Sequence, residues 1–197
     1  RQGAPLSAFD RSFGDGAAAL LVGNSNVVAS MEASYSVSDE ILDVWRADSD
    51  AFLRNSLERF SEVEGYVNVT SRAISGLLKA SKLAPKDFAK LVLYAPSARR
   101  ATDVANGLGF NAKTQLQNML ADSLGNTGVP YALMLFVSAL ETAKPGDLIL
   151  LAGYGDGADA FAFKVTDQIR KVQSEATRRG MKKHLESKRI VNDYKTY

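Results

Sequence analysis

Gly125-Asn126-Thr127-Gly128, the apolar run from Val129 to Ala143, the turn Lys144-Pro145-Gly146-Asp147, the Leu and Ile run 148–151 and Gly153-Tyr154-Gly155-Asp156-Gly157 are one continuous stretch. In order they read as an Asn in a glycine turn, a buried helix, a buried strand and a glycine loop at the strand's end. That is a βαβ-like unit with its polar atoms gathered at one rim. Residues 129–143 are apolar nearly all round, which places the helix between layers rather than on a surface. Gly125 and Gly128 let the backbone take positive φ and pass close to a ligand. The three glycines of the 153–157 loop are expected to leave amides uncovered and able to face a developing oxyanion. The plain alternative is a pair of ordinary tight turns.

Outward from this unit the pattern stays α/β. Leu91 to Tyr94 reads as a buried strand, followed by a turn at Pro96, a helix from Ala98 to Asn106 stopped by Gly107, and a shorter helix before Gly125. Asp147–Gly153 and Ala158–Val165 read as a closing strand pair. Upstream, Gly16–Gly23 and Asn26–Val37 read as strands that can pair. Ser38-Asp39-Glu40 has N-cap chemistry and is expected to open a helix carrying Ile41, Leu42 and Trp45. Asp48–Phe60 and Val67–Lys82 read as two more helices, the second with Val69, Ile74, Leu77 and Leu78 on its apolar positions. Strands alternating with helices predict a layered α/β/α architecture.

With 197 residues, 46% hydrophobic and 23% charged, the chain can bury a substantial core. No apolar run is long enough to span a bilayer, so no membrane role is expected and the cytoplasm is the expected location. A formal net charge of +2 gives no case for nucleic acid. Residues 169–197 hold nine Lys and Arg against three Asp and Glu, and read as a solvated helix with an extended basic arm. Cysteine is absent, which removes disulfides, thiolate metal sites and a thiol nucleophile from this sequence.

Four pieces in order resemble the C-terminal half of the thiolase superfamily, in the branch of ketoacyl synthase III and hydroxymethylglutaryl-CoA synthase. They are Gly14-Asp15-Gly16-Ala17-Ala18-Ala19, the strand and turn from Leu91 to Arg100, Gly125-Asn126-Thr127, and the segment from Lys144 to Phe163. The resemblance implies a layered α/β/α half-domain with a mixed sheet. It divides the chain into 1–25 as the end of the N-terminal half, 26–168 as the C-terminal half, and 169–197 as helix and tail. It also implies a coenzyme A thioester as substrate with no metal in this chain, and homodimerisation. The N-terminal half, in the same or a separate chain, is expected to bring the nucleophilic Cys. The motif from Lys183-His184-Leu185 to Tyr194-Lys195-Thr196-Tyr197 is similar to the stretch that, in some thiolase-like proteins, leads to a zinc-ribbon and OB-fold partner.

The site residues follow from the same resemblance, with one departure. In the family the strand matching Leu91–Tyr94 ends in a catalytic His, followed by an Asn. Here Tyr94 stands at the His position and Ser97 at the Asn position, while the only histidine is His184, in the tail. A phenol with an ordinary pKa near 10 donates far more readily than it accepts, so Tyr94 suits polarisation of a carbonyl. Asn126 matches the Asn that helps bind the thioester carbonyl. Tyr154 is expected near the same pocket, and Gly155 is the candidate backbone donor to an oxyanion. Arg99 matches a basic residue facing the coenzyme A entrance, and Arg100 is expected to be a surface charge. Simple packing is the alternative for Tyr94 and Tyr154, and for Trp45 core packing is weighed above stacking on adenine.

Two functions of different class fit. One is the C-terminal part of an acyl-CoA enzyme that makes or breaks a carbon-carbon bond next to a thioester, as a synthase, thiolase or aldolase. The other is a noncatalytic thiolase-like scaffold that binds acyl-CoA or a partner chain.

Overall fold

The computed structural model describes residues 3–176, 180–187, 190, 191 and 193. Its strands are β1 Ala29–Ser38, β2 Val44–Trp45, β3 Arg54–Asn55, β4 Lys90–Leu93, β5 Leu148–Tyr154 and β6 Gly157–Val165. The central sheet has the order β1-β6-β5-β4, while β2 and β3 form a separate ribbon. β4 and β5 run parallel, with Leu91 opposite Leu150; β6 is antiparallel to both β5 and β1. The sheet is therefore mixed, as expected. Leu91, Val92, Ile149 and Leu150 are fully buried, as strands covered on both faces require.

The helices are α1 Ala8–Ser12, α2 Glu58–Phe60, α3 Asn68–Ser81, α4 Ala98–Gly107, α5 Ala121–Leu124, α6 Pro130–Leu140, α7 Ile169–Ala176 and α8 Met181–Glu186, with a π-helical segment, Ser61–Val67, joining α2 to α3. Side-chain alternation along β6 explains how two of them cover the sheet. Ala158, Ala160 and Ala162 are buried on one face. Tyr35, opposite Ala160 in the register, lies so close to α3 that a Cβ on Gly76 would fall 2.2 Å from its ring. On the other face Phe163 meets Phe136 of α6, with ring centroids 4.8 Å apart. Small residues admit α3 and large ones receive α6, which gives the α/β/α layering.

Local chemistry sets the helix limits. α3 buries Val69, Ala73, Ile74 and Leu77 along one face and stops where Lys82 turns left-handed at φ 59°. Ser97 caps α4 by accepting from Arg100 N at 3.4 Å, and Pro130 opens α6, where its missing N–H costs nothing. Gln173 of α7 donates to the carbonyls of Leu140 and Ala143 at 2.9 and 2.8 Å, satisfying groups that the end of α6 leaves open.

The structure corrects the upstream expectations. Residues 16–23 form no strand, and Leu21 and Val22 are exposed. Apolar content between glycines marks a strand only where a neighbour supplies ladder hydrogen bonds, and no described strand pairs with this stretch. No helix follows Ser38: Ile41 and Leu42 lie in an irregular stretch, and Trp45 sits half-buried on the β2–β3 ribbon, outside the core. The helix expected over 48–60 is reduced to α2, because Asp50 is committed to a turn, accepting from Ala47 N at 3.0 Å and pairing with Arg54. In the tail, α7 is docked through buried Ile169 and half-buried Gln173 rather than fully solvated, and a short helix, α8, follows it; most of the residues of the expected extended arm lie outside the described residues. Tyr194 to Tyr197 lie outside the described residues.

Candidate active site

The parallel pairing of β4 and β5 brings two loops to one edge of the sheet, and the 125–128 turn joins them there. Tyr94 follows β4 directly and is held by its N–H to the Ala152 carbonyl at 3.0 Å. Tyr154 ends β5 opposite Ala158. Gly125 at φ 66° and Gly128 at φ 76° make the turn that raises Asn126 between them. The turn is anchored from upstream: Asn126 N donates to the Ser12 carbonyl at 2.7 Å, and Gly14 N to the Asn126 carbonyl at 3.2 Å. The Gly14-Asp15-Gly16 motif thus begins by bracing the Asn turn.

Asn126 has both ends of its side chain engaged. Its Oδ1 accepts from Gly128 N at 2.9 Å, and its Nδ2 donates to the Tyr94 hydroxyl at 3.2 Å. With the amide oxygen pinned by the turn, the amide N–H is aimed at Tyr94. The Tyr94 oxygen accepts that bond and keeps its own proton to give away. The structure therefore brings Tyr94 and Asn126 together as one hydrogen-bonded pair.

Tyr94 is also the hub of an aromatic group. Its ring lies 6.1 Å from Tyr131, 6.4 Å from Tyr66 and 6.4 Å from Tyr154 between centroids, and Tyr66 meets Tyr154 edge-on at 5.6 Å. Burial, more than any neighbour, pushes the phenol of Tyr131 up to about 12. Tyr66 is raised further by burial and by Tyr94. Tyr154 is raised by burial and then by the Asp43 carboxylate beside it. These phenols stay protonated at neutral pH and supply donors rather than bases.

Gly65, in the π-helical segment, is what allows Tyr154 its place: a Cβ there would fall 2.5 Å from the Tyr154 hydroxyl oxygen. A π-turn widens the helix by one residue per turn and is common where a helix meets a functional site.

The Gly155 amide differs from expectation. It donates to the Gly157 carbonyl at 3.0 Å, inside the turn, and is not uncovered. Arg99 is exposed, on the rim of an open cleft of about 420 Å³ lined by Glu58, Arg59, Glu62, Val63, Arg99 and Arg100. Arg100 is no free surface charge: its side chain is 16% exposed and reaches Glu62 at 2.8 Å and Asp103 at 3.0 Å. The Glu62 bond ties α4 to the π-helical segment, the Asp103 bond lies within α4, and both raise the guanidinium pKa. Ser97 serves as the helix cap. Among the described residues no cluster of three or more His, Asp or Glu could hold a metal ion, and no helix is long and apolar enough to cross a membrane.

Sequence reading missed Tyr66, Tyr131 and Asp43. A Tyr at the second position of an otherwise apolar buried helix was a usable signal for Tyr131, whose hydroxyl donates to the Met119 carbonyl at 2.5 Å. Asp43 lies where the sequence predicts a helix that does not form, and Tyr66 between predicted elements.

Fold and site together define a thiolase-like α/β protein. Residues 78–166 match the family described as 3-oxoacyl-[acyl-carrier-protein] synthase III C terminal. The chain is 36% identical over 177 residues to a hydroxymethylglutaryl-CoA synthase of Methanopyrus kandleri, covering 89% of this chain and 50% of that protein. It is similar in fold to 3-oxoacyl-[acyl-carrier-protein] synthase III from Aquifex aeolicus (TM-score 0.62, 16% identity, 72% of this chain and 46% of that one). A hydroxymethylglutaryl-CoA synthase solved in complex with CoA is similar too (TM-score 0.63, 17% identity, 85% of this chain and 50% of that one). In sequence and fold the chain is similar to the C-terminal half of proteins of the ketoacyl synthase III and hydroxymethylglutaryl-CoA synthase branch of the thiolase superfamily. It spans about half the length of the curated relatives it matches.

Proposed function

We propose that this chain is the C-terminal part of a thiolase-like acyl-CoA enzyme that forms or cleaves a carbon-carbon bond next to a thioester. The observation that carries this is the 3.2 Å bond from Asn126 Nδ2 to the Tyr94 hydroxyl, at the rim where β4, β5 and the Asn turn meet. A phenol that accepts one hydrogen bond becomes a better donor through its own O–H. In this reading Asn126 sharpens Tyr94, and Tyr94 polarises the carbonyl of the acyl group as charge develops on its oxygen. Tyr154 stands beside them with its hydroxyl turned to the Asp43 carboxylate, so it shapes the site and donates to a ligand only if that bond is given up. Gly155 joins as an oxyanion donor only if its turn opens, because its amide is spent on Gly157.

Support for the substrate class comes from the relatives, which are named hydroxymethylglutaryl-CoA synthases, and from a similar structure complexed with CoA. Arg99, exposed on the charged cleft and in no ion pair among the described residues, is the residue for the phosphates of such a thioester. The nucleophile and much of the acyl pocket come, in this reading, from an N-terminal thiolase half in the same or a separate chain. A homodimer in the cytoplasm, with a zinc-ribbon/OB-fold protein as a further partner, completes the proposal.

The test is Tyr94→Phe in the complete assembly, which removes one oxygen and keeps the ring contacts. Turnover is expected to fall about 100-fold, the cost of one transition-state donor, with the fold intact by circular dichroism. Unchanged turnover would place the chemistry elsewhere and leave this chain a scaffold.

A further inference from the structure

Tyr94 and Tyr154 stand with their rings nearly parallel, 18° apart in plane and 6.4 Å between centroids. Both are half-buried at the rim, where Tyr66 and Tyr131 are sealed. Their hydroxyls are wired in opposite senses. Tyr94 accepts from Asn126 and keeps its proton to give. Tyr154 donates to the Asp43 carboxylate, which leaves the lone pairs of its oxygen free to receive. A donor and an acceptor side by side are what enolisation of a carbonyl compound needs, one at the carbonyl oxygen and the other at the hydrogen of the adjacent carbon.

The acceptor side ends in a carboxylate fixed in place. The Tyr154 hydroxyl and Ile41, two residues before Asp43, converge on Gly65: a Cβ there would fall 2.5 Å from the hydroxyl oxygen and 3.2 Å from Ile41 Cγ2. Asp43 Oδ1 accepts from Val44 N at 2.6 Å, and the Asp43 carbonyl accepts from Ser56 N at 2.9 Å, at the foot of the β2–β3 ribbon. Asp43 is half-buried and in no ion pair among the described residues. A carboxylate drawn out of water without a cation is costly, and a site that must take up a proton is where such a group has a use. That need is open here, because Tyr94 stands at the position of the family's His and the one histidine, His184, is exposed on α8. Asp156, the other carboxylate near Tyr154, is exposed on the turn after β5.

Resting on the reading above, we infer that Asp43 is the proton acceptor of this site and acts through Tyr154. The bond from the α-carbon to its hydrogen breaks, that proton passes to the Tyr154 oxygen, and the proton of Tyr154 passes to the Asp43 carboxylate. The electron pair left behind moves onto the carbonyl oxygen, where the Tyr94 hydroxyl meets it. Tyr154 gains one proton as it gives up another and never stands as a free phenolate. Run backwards, the relay returns a proton to the carbon after a bond has been cleaved.

The experiment follows deuterium uptake at the methyl carbon of acetyl-CoA in D2O, by the complete assembly and its variants. Exchange reports formation of the enolate without a second substrate. Asp43→Asn keeps an oxygen for the Tyr154 hydroxyl but takes no proton, and is expected to slow exchange about 100-fold with acetyl-CoA affinity unchanged. Its melting temperature is expected to hold or rise, since an unpaired charge has left a half-buried place. Tyr154→Phe cuts the relay and leaves Asp43 on Val44; it is expected to slow exchange as much, and the double variant no further. Asp156→Asn is the control, with exchange at the parent rate. Parent-rate exchange in Asp43→Asn or in Tyr154→Phe would overturn the assignment and leave the acyl-CoA reading standing. So would exchange lost together with melting temperature or affinity, the mark of a carboxylate that only holds the fold, and so would a parent that binds acetyl-CoA without exchanging it. A parent assembly that does not bind acetyl-CoA at all would bring down both.

Discussion

The π-helical segment 61–67 faces two surroundings of opposite character. On one side Tyr66 enters a group of phenols with Tyr94, Tyr131 and Tyr154, of which Tyr66 and Tyr131 are fully buried and the other two half-buried. On the other, Glu62 and Val63 line an open cleft with Glu58, Arg59, Arg99 and Arg100. The phenol side has neutral donors in a low-dielectric interior, where each hydrogen bond is strong and an unmade one is costly. The cleft has full charges in water, where each ion pair is worth little. The difference suits a division of labour in which chemistry falls to the neutral side and attraction of an anionic carrier to the charged one.

The sharpest break of that comparison is Tyr94→Phe, with its expected loss of about 100-fold in turnover. Asn126→Ala is expected to cost less, about tenfold, because it leaves the Tyr94 proton in place and removes only the bond that orients and sharpens it. The two losses should not add in the double variant, since Asn126 acts through Tyr94; a sum of the separate effects, read from steady-state turnover, would show Asn126 touching the ligand on its own account.

Alkaline titration tests the neutral side as a whole. Folding raises the phenol of Tyr131 to about 12, and those of Tyr66 and Tyr154 upward as well. The fold therefore holds protons that an unfolded chain releases near the ordinary value of about 10. The stability these groups contribute is whole below about pH 10 and lost as pH rises through about 12. Followed by tyrosinate absorbance near 295 nm, three of the seven tyrosines are expected to ionise only as the fold opens. Full ionisation in a still-folded protein would show the cluster to be wet.

The contrast also separates what was legible in the sequence from what was not. The stretch from Leu91 to Val165 came through because burial on both faces writes long apolar runs, and glycines punctuate them. Tyr94 and Asn126 came with it, since each sits at the end of such a run. Outside β1, which is legible as the strand over Asn26–Val37, the sequence between Gly16 and Phe60 has the right residue types with little to bury them: Leu21, Val22 and Leu42 are exposed. There, periodicity carries no force, and local turn chemistry such as Asp50 on Ala47 decides the backbone. Asp43 and its contact with Tyr154 were out of reach for that reason. Tyr66 escaped because a π-turn shifts the helical phase by a residue, so its neighbours in space are not those a 3.6-residue repeat assigns.

The smallest expected effects lie on the charged side, where two adjacent arginines should part company. Arg100 bridges Glu62 and Asp103 and is mostly covered; Arg99 is exposed and has no ion-pair partner among the described residues. Arg100→Ala is expected to lower the melting temperature, because it unties α4 from the π-helical segment and leaves Glu62 unpaired, while the KM for acyl-CoA stays near that of the parent once the protein is folded. Arg99→Ala is expected to leave the melting temperature alone and raise that KM by about threefold, the size of an exposed charge-to-phosphate contact. Because such a contact is screened over roughly 8 to 10 Å at physiological ionic strength, the Arg99 effect should fade as salt is raised and the Arg100 effect should persist. Loss of thioester affinity on removing Arg100 alone, in a protein of unchanged stability, would move the carrier's binding site inward and erase the line between the two sides of the helix.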